Sequence, residues 1–232
     1  MMNSGFRAAA LLLAAWLVTL PATAQNSERS RYYIQQMIEL AATNDEAGVT
    51  AMQRMLEQEP RPTPRDPAAA REALQRGQAA LQAEDLKAAL AAFQQASQND
   101  PSNADAINYL GLVHRKLGQL PDAERDIQQA LALEPSRAVA WFQLAQIYGL
   151  TEDGQRARGA LANTYRFAQN PMKAEEILRN IAENEVSNTL RNAALETLRL
   201  YQLPGEAVIV PPLPADPGIM PLNIPPASGR TP

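Results

Sequence analysis

The chain has 232 residues, 46% of them apolar and 5% aromatic, with a formal net charge of −4. That is enough apolar material for a buried core, and the basic excess that a nucleic-acid partner calls for is absent. Cysteine is missing altogether, which excludes disulfides, thiolate metal ligands, thiol nucleophiles and a lipidated cysteine at one stroke.

In chain order, residues 1–24 read as a secretory signal. Arg7 and the α-amine make a positive start, residues 8–20 form an apolar run, and Pro21 ends it before Ala22-Thr23-Ala24. Cleavage is expected before Gln25, leaving 20 basic against 25 acidic residues once Arg7 departs with the signal. No later run approaches the ~20 apolar residues of a membrane-spanning helix. The expectation is therefore a periplasmic or secreted protein, without stable membrane insertion after signal cleavage.

Residues 25–58 predict a helical hairpin. Tyr33, Met37, Ile38 and Ala41 recur at helical spacing, Thr43-Asn44-Asp45 offers a turn and a cap, and Val49, Met52 and Met55 or Leu56 mark a second amphipathic helix. Pro60, Pro62, Pro64 and Pro67 then forbid helix, so residues 59–68 are a proline-rich linker.

Residues 69–171 repeat with a period of 34. Gly77, Ala89, Phe93, Ala96 and Pro101 are matched by Gly111, Ala123, Ile127, Ala130 and Pro135, and then by Ala145, Ala157 and Leu161. The residue types have a physical reading: two antiparallel helices cross closely where only a small residue fits, and a larger apolar residue fills the space beside the crossing. Pro101 and Pro135 end the second helix of each pair, while Asp100, Ser102 and Asn103 supply turn and capping oxygens.

Residues 172–203 predict a capping helical hairpin. Asn170-Pro171 opens its first helix, with Ile177, Leu178 and Ile181 inward; Ser187 caps the second, which carries Leu190, Leu195 and Leu198. Residues 204–232 hold nine prolines in 29 positions and predict a disordered proline-rich C-terminal tail, with Val208-Ile209-Val210 and Ile219-Met220 apolar enough to bind.

The stretches "GQAALQAEDLKAALAAFQQASQNDP" and "AINYLGLVHRKLGQLPDAERDIQQALALEP" resemble the tetratricopeptide repeat, and the third unit has Trp141, Leu144 and Tyr148 where that family prefers Trp, Leu and Tyr. The resemblance implies an all-α fold, a right-handed α-solenoid of helical hairpins. It also implies that the first helices of successive units line a concave groove. On this chain the lining would be Leu74, Gln78, Leu81 and Gln82, then Asn108, Leu112, Arg115 and Lys116, then Phe142, Gln146 and Leu150. An apolar floor with amide and basic edges suits an extended peptide or a partner's helix. The family's carboxylate-gripping variant needs Lys, Asn and Arg where this chain has Leu74, Gln78, Tyr109, Val139 and Gln143, so chaperone C-termini are not its expected ligands.

Chemistry is sparse. His114, the sole histidine, falls where the neighbouring units have Ala80 and Tyr148, a packing position. Glu175-Glu176 and Asp122 with Glu124 are neighbours on helices whose side chains diverge, and they read as solvated faces. No phosphate loop, nucleophile elbow or zinc-helix motif occurs. No catalytic residue, metal site or cofactor is expected. The resulting expectation is a non-enzymatic protein-protein interaction scaffold of the bacterial cell envelope, accessory to a secretion or pilus assembly. A self-associating structural repeat protein is the alternative, and a glycan-active enzyme using groove carboxylates is the third reading.

Overall fold

Helix boundaries follow local chemistry almost everywhere. The computed structural model describes residues 22–203, so most of the expected signal and the whole proline-rich tail lie outside the described residues. Ten α-helices occur within them: α1 (Ala22–Ala42), α2 (Glu46–Glu57), α3 (Pro67–Gln82), α4 (Leu86–Asn99), α5 (Ala104–Lys116), α6 (Leu120–Leu133), α7 (Ala138–Leu150), α8 (Gly154–Arg166), α9 (Pro171–Asn184) and α10 (Asn188–Leu200). Among the described residues there is no strand.

The caps are those that the sequence advertises. Asp45 accepts from Gly48 N–H at 2.8 Å, Asn103 from Ala106 N–H at 2.9 Å, Asn170 from Lys173 N–H at 3.1 Å and Ser187 from Leu190 N–H at 3.3 Å. Each satisfies a helix N–H that would otherwise lack a partner. Asn44 and Glu84 take positive φ in the turns between paired helices, which ends one helix and starts the next within a few residues.

Helices α3/α4, α5/α6 and α7/α8 are three stacked hairpins forming an all-α solenoid. Their spacing rule is physical: a methyl group placed on Gly77 would lie 2.5 Å from the Phe93 ring, and one on Gly111 2.6 Å from the Ile127 side chain. Trp141 is fully buried and donates its indole N–H to the Pro135 carbonyl at 2.8 Å, tying the third hairpin to the second. The largest core cluster runs from α1 and α2 through α6–α10, with Trp141, Tyr148, Ile34 and Leu131 at its centre. The first hairpin is held by a smaller cluster built on Phe93, Ala89, Leu110 and Val113, with Tyr109 stacked on Phe93 at 5.1 Å.

The two flanking hairpins are attached in ways that no repeat pattern encodes. The N-terminal pair α1/α2 packs against α8 and α6, the second helices of two hairpins, rather than extending the stack at its beginning. Asn163 donates to the Met37 carbonyl at 3.1 Å in the buried seam, and Arg166 reaches Asn44 at 3.2 Å and Glu46 at 3.3 Å. The linker then returns along the molecule: Arg61 donates to the Leu133 carbonyl, and the N–H groups of Arg65 and Asp66 both bond Asn99 O.

At the other end, α10 rather than α9 docks on the third hairpin. Leu190 presses on Gly149, Arg158 pairs with Glu196, and the Tyr201 hydroxyl donates to Ala162 O. Residue numbers rise together along this seam, so α10 runs parallel to α8, whereas a further repeat would begin with an antiparallel helix. Ile177, expected inward, is half-exposed on α9, because α10 has taken the place where α9 would have been buried. Met55 is likewise exposed while Leu56 fills the core under α2.

Candidate functional site

The expected groove residues lie on α3, α5 and α7, the first helices of the three hairpins, and the structure distributes them unevenly. Leu74 and Leu81 pack on the first hairpin's core cluster, and Gln78 is half-buried beside them. Leu112, Phe142 and Gln146 are also half-buried, whereas Gln82, Lys116 and Leu150 are exposed. Leu150 stands out, with 56% of its surface in water at the end of α7.

Asn108 does not line an open surface. It is buried and accepts a hydrogen bond from the Gln143 amide at 3.3 Å, joining α5 to α7. Gln143 keeps a buried carbonyl oxygen without a hydrogen-bond partner, so the amide pair lies beneath the surface of the face. Arg115 is half-buried with its Nε unpartnered, and burial pushes its guanidinium below the ordinary value. Lys116 next to it remains in water.

Two buried polar networks escaped the sequence reading. His114 Nδ1 lies 2.6 Å from Asp126 Oδ2, and both side chains are buried between α5 and α6. Burial pushes the Asp126 carboxyl up, opposed by its bonds to His114 and to Arg125. Glu124, read from sequence as part of a solvated face, in fact accepts from the Tyr148 hydroxyl at 3.0 Å and from Arg156 at 3.1 Å, and the Arg156 guanidinium sits 4.5 Å over the Tyr148 ring. Burial, helped by the Glu124 charge, pushes the Tyr148 hydroxyl upward. The first network ties the two helices of the second hairpin together, and the second locks that hairpin to the third. Among the described residues no group of three His, Cys, Asp or Glu is placed to hold a metal ion.

Two cavities of several hundred Å3 lie elsewhere on the described residues. One, about 570 Å3, lies between the start of α1, the linker and α6, where Arg31, Arg61 and Arg125 surround Ser30, Glu59 and Gln128. The other, about 710 Å3, opens at the end of the stack where α7 begins and α8 ends, walled by Val139, Phe142, Phe167, Ala174 and Ile177 with Lys173 alongside. Of the eleven expected groove residues, Phe142 alone lines either cavity. Large exposed apolar side chains include Val139 and Leu150 at the two ends of α7, Met172 and Ile177 on α9, and Val186 just beyond it. No described helix is long and apolar enough to cross a membrane.

The family comparison falls on the same hairpins. The model of the tetratricopeptide repeat family matches twice in tandem, at residues 74–126 and 110–172. A 69-residue stretch is 41% identical to cellulose synthase operon protein C of Komagataeibacter xylinus, covering 30% of this chain and 5% of that protein. Similar solved structures include an O-GlcNAc transferase mutant of Thermobaculum terrenum, at TM-score 0.47 and 22% identity over 60% of this chain and 28% of that one. They also include two structures of MamA, each at TM-score 0.47 and 18% identity, covering 68% and 75% of this chain and 90% and 93% of the MamA chains. The chain thus spans a small part of the cellulose synthase operon protein and of the transferase. With the tandem matches lying on the glycine-spaced, stacked hairpins, the chain is a tetratricopeptide repeat protein.

Proposed function

We propose that this protein is a non-enzymatic scaffold of the bacterial cell envelope that takes a peptide or a partner's helix against the α3, α5 and α7 face. Repeats of this family serve generally as protein-protein interaction scaffolds, and the observation that carries the reading here is the make-up of that face. Leu112, Phe142 and Leu150 give apolar contact, and Arg115 and Lys116 supply positive charge at its edge. The match to a bacterial cellulose synthase operon protein is consistent with the envelope, and the expected signal at residues 1–24 supports export. A role as accessory to a secretion or pilus assembly is the narrower form of the reading.

The test is site-specific photocrosslinking in the native envelope. A probe at Leu112 or Leu150 should give a discrete adduct with one protein partner, and Leu112→Glu combined with Lys116→Glu should remove it while leaving the helical content unchanged. Absence of any adduct from either probe, or an adduct that survives the double change, overturns the reading.

A further inference from the structure

We propose that residues 204–232 of this chain occupy the 710 Å3 cleft at the end of the stack, with Val208-Ile209-Val210 lying against Phe142, Phe167 and Ile177. The cleft lies at the end of the stack and shares only Phe142 with the residues argued for the α3, α5 and α7 face, whose Leu112 and Leu150 are outside it.

The first argument is topological. Because α8 is antiparallel to α7, α9 to α8 and α10 to α9, the start of α7, the end of α8, the start of α9 and the end of α10 share one end of the molecule. The contacts agree, since Tyr201 at the end of α10 bonds Ala162 and Arg166 and its ring packs on Tyr165 at 4.6 Å, all on the last turns of α8. Thr164, Phe167 and Ala168, from the same turns, wall the cleft. After α10 the chain reverses at Gln202, φ 51°, with Gln202 N–H bonded to Arg199 O and Leu203 N–H to Leu198 O. Leu203, the last described residue, then packs on the main core.

The second argument is reach. Packed helices lie ~8–10 Å apart, and five extended residues span up to about 17 Å, so the stretch from Leu203 to Val208 is long enough to cross the end of α8. A tether that short holds its apolar triplet at an effective concentration on the order of millimolar, at which even a weak site fills.

The third argument is chemical fit. The cleft has an apolar wall set among charged Glu57, Arg61, Glu134, Arg137 and Lys173, and that wall is uncovered among the described residues: Val139 is 57% exposed and Ile177 is 36% exposed. Its volume falls within the ~300–1,000 Å3 of ordinary ligand pockets. Segments with this density of proline lose little entropy on docking and are recognised by grooves with aromatic walls, which Phe142 and Phe167 provide. Lys173 at the rim is opposite in charge to Glu206, two residues ahead of the triplet.

A chain without cysteine makes the test direct. Full-length protein is made with Val139→Cys and Ile209→Cys, and separately with Met172→Cys and Ile209→Cys. Met172 is 82% exposed near the start of α9 and is outside the cleft lining, so it measures simple proximity of the tail. A disulfide requires the two Cα atoms within about 7 Å. Under mild oxidation at low protein concentration, the Val139 pair should close within one chain at least tenfold faster than the Met172 pair. A peptide of residues 204–216 added in excess should slow that closure, and the same peptide with Val208, Ile209 and Val210 changed to Ser should not. Equal closure rates, no intrachain bond at Val139, or a bond that forms only between two chains would each overturn the proposal; the last would assign the cleft to a second copy.

Discussion

A methyl group on Gly159 would overlap the carbonyl oxygen of Ile38. This contact fixes where α1 crosses α8 and allows the buried Asn163 amide to reach the Met37 carbonyl. It also reverses the usual sign of a glycine substitution. In an exposed helix interior Gly→Ala stabilises by roughly 0.5–1 kcal/mol, because Ala loses less backbone entropy. Here Gly159→Ala should destabilise by about 1–3 kcal/mol, the ordinary cost of overpacking. Urea unfolding of the variant checks it, and a stabilised variant would mean that α1 is not seated on α8.

If Gly159 and Asn163 serve the same docking event, their effects should not add. Asn163→Ala alone should cost about 1–2 kcal/mol through the lost buried hydrogen bond. In a double-mutant cycle with Gly159→Ala, the combined loss should fall short of the sum by at least 0.5 kcal/mol, on the order of the coupling seen between residues in contact. Hydrogen exchange gives an independent readout: amides of α1 and α2 should lose protection in either variant before those of α3–α6 do.

The His114–Asp126 pair stands where the repeat register gives Ala80 and Ala92 in the first hairpin, and Tyr148 and Ala160 in the third. Removing one partner leaves a buried polar group uncompensated, whereas removing both copies a solution the chain already uses. His114→Ala should therefore cost about 3 kcal/mol at neutral pH, and His114→Tyr with Asp126→Ala should recover most of it. The pH sign follows from Asp126. Burial raises its folded-state pKa above the unfolded value, so the folded chain binds the extra proton, and stability falls as pH rises through the window above that unfolded value. His114 opposes this shift, so its removal enlarges the effect: the gap between His114→Ala and the double variant should narrow as pH is lowered toward the carboxylate range. Thermal melts across pH measure it, and a gap independent of pH would rule out the buried charge as the cause.

Much of this architecture was legible because each hairpin solves the same local problem. Gly77 and Gly111 recur where Phe93 and Ile127 press on the facing helix, and Asn103, Asn170 and Ser187 stand one position ahead of the helices they cap. What the period cannot carry is a contact made only once. Gly159 and Asn163 replace Arg125 and Gln129 of the preceding hairpin, on a helix face that points to water there; the small residue and the short amide were the available hint that something covers α8. Asp126 in place of Ala92 and Ala160 was a similar hint, since a carboxylate in an alanine register calls for a buried partner. Along the candidate binding face, spacing identified the right helices, but depth was not readable: Asn108 sits beneath the surface, because Gln143 from the next hairpin closes over it.

Asp153 separates a cap from a charge. Its carboxylate accepts the Arg156 N–H at 3.0 Å as the N-cap of α8 and pairs with the Arg156 guanidinium at 2.7 Å. Burial alone would raise its pKa, but the bonds to Arg156 together hold it below the ordinary carboxylate value. Asparagine caps a helix about as well as aspartate, so Asp153→Asn keeps the first interaction and deletes the second. The site is partly exposed, and solvent screening limits the expected loss at pH 7 to a few tenths of a kcal/mol, up to about 1. Because the folded-state pKa is depressed, this contribution is fully present above the unfolded carboxylate pKa and disappears as pH falls through the folded one. Melts of the two proteins should therefore differ at pH 7 and converge in acid, as pH falls below the ordinary carboxylate value and that depressed carboxylate takes up its proton. They should also draw together at 1 M salt, where charge screening acts within about 3 Å. A difference that persists in acid would place the effect in the cap geometry rather than in the ion pair.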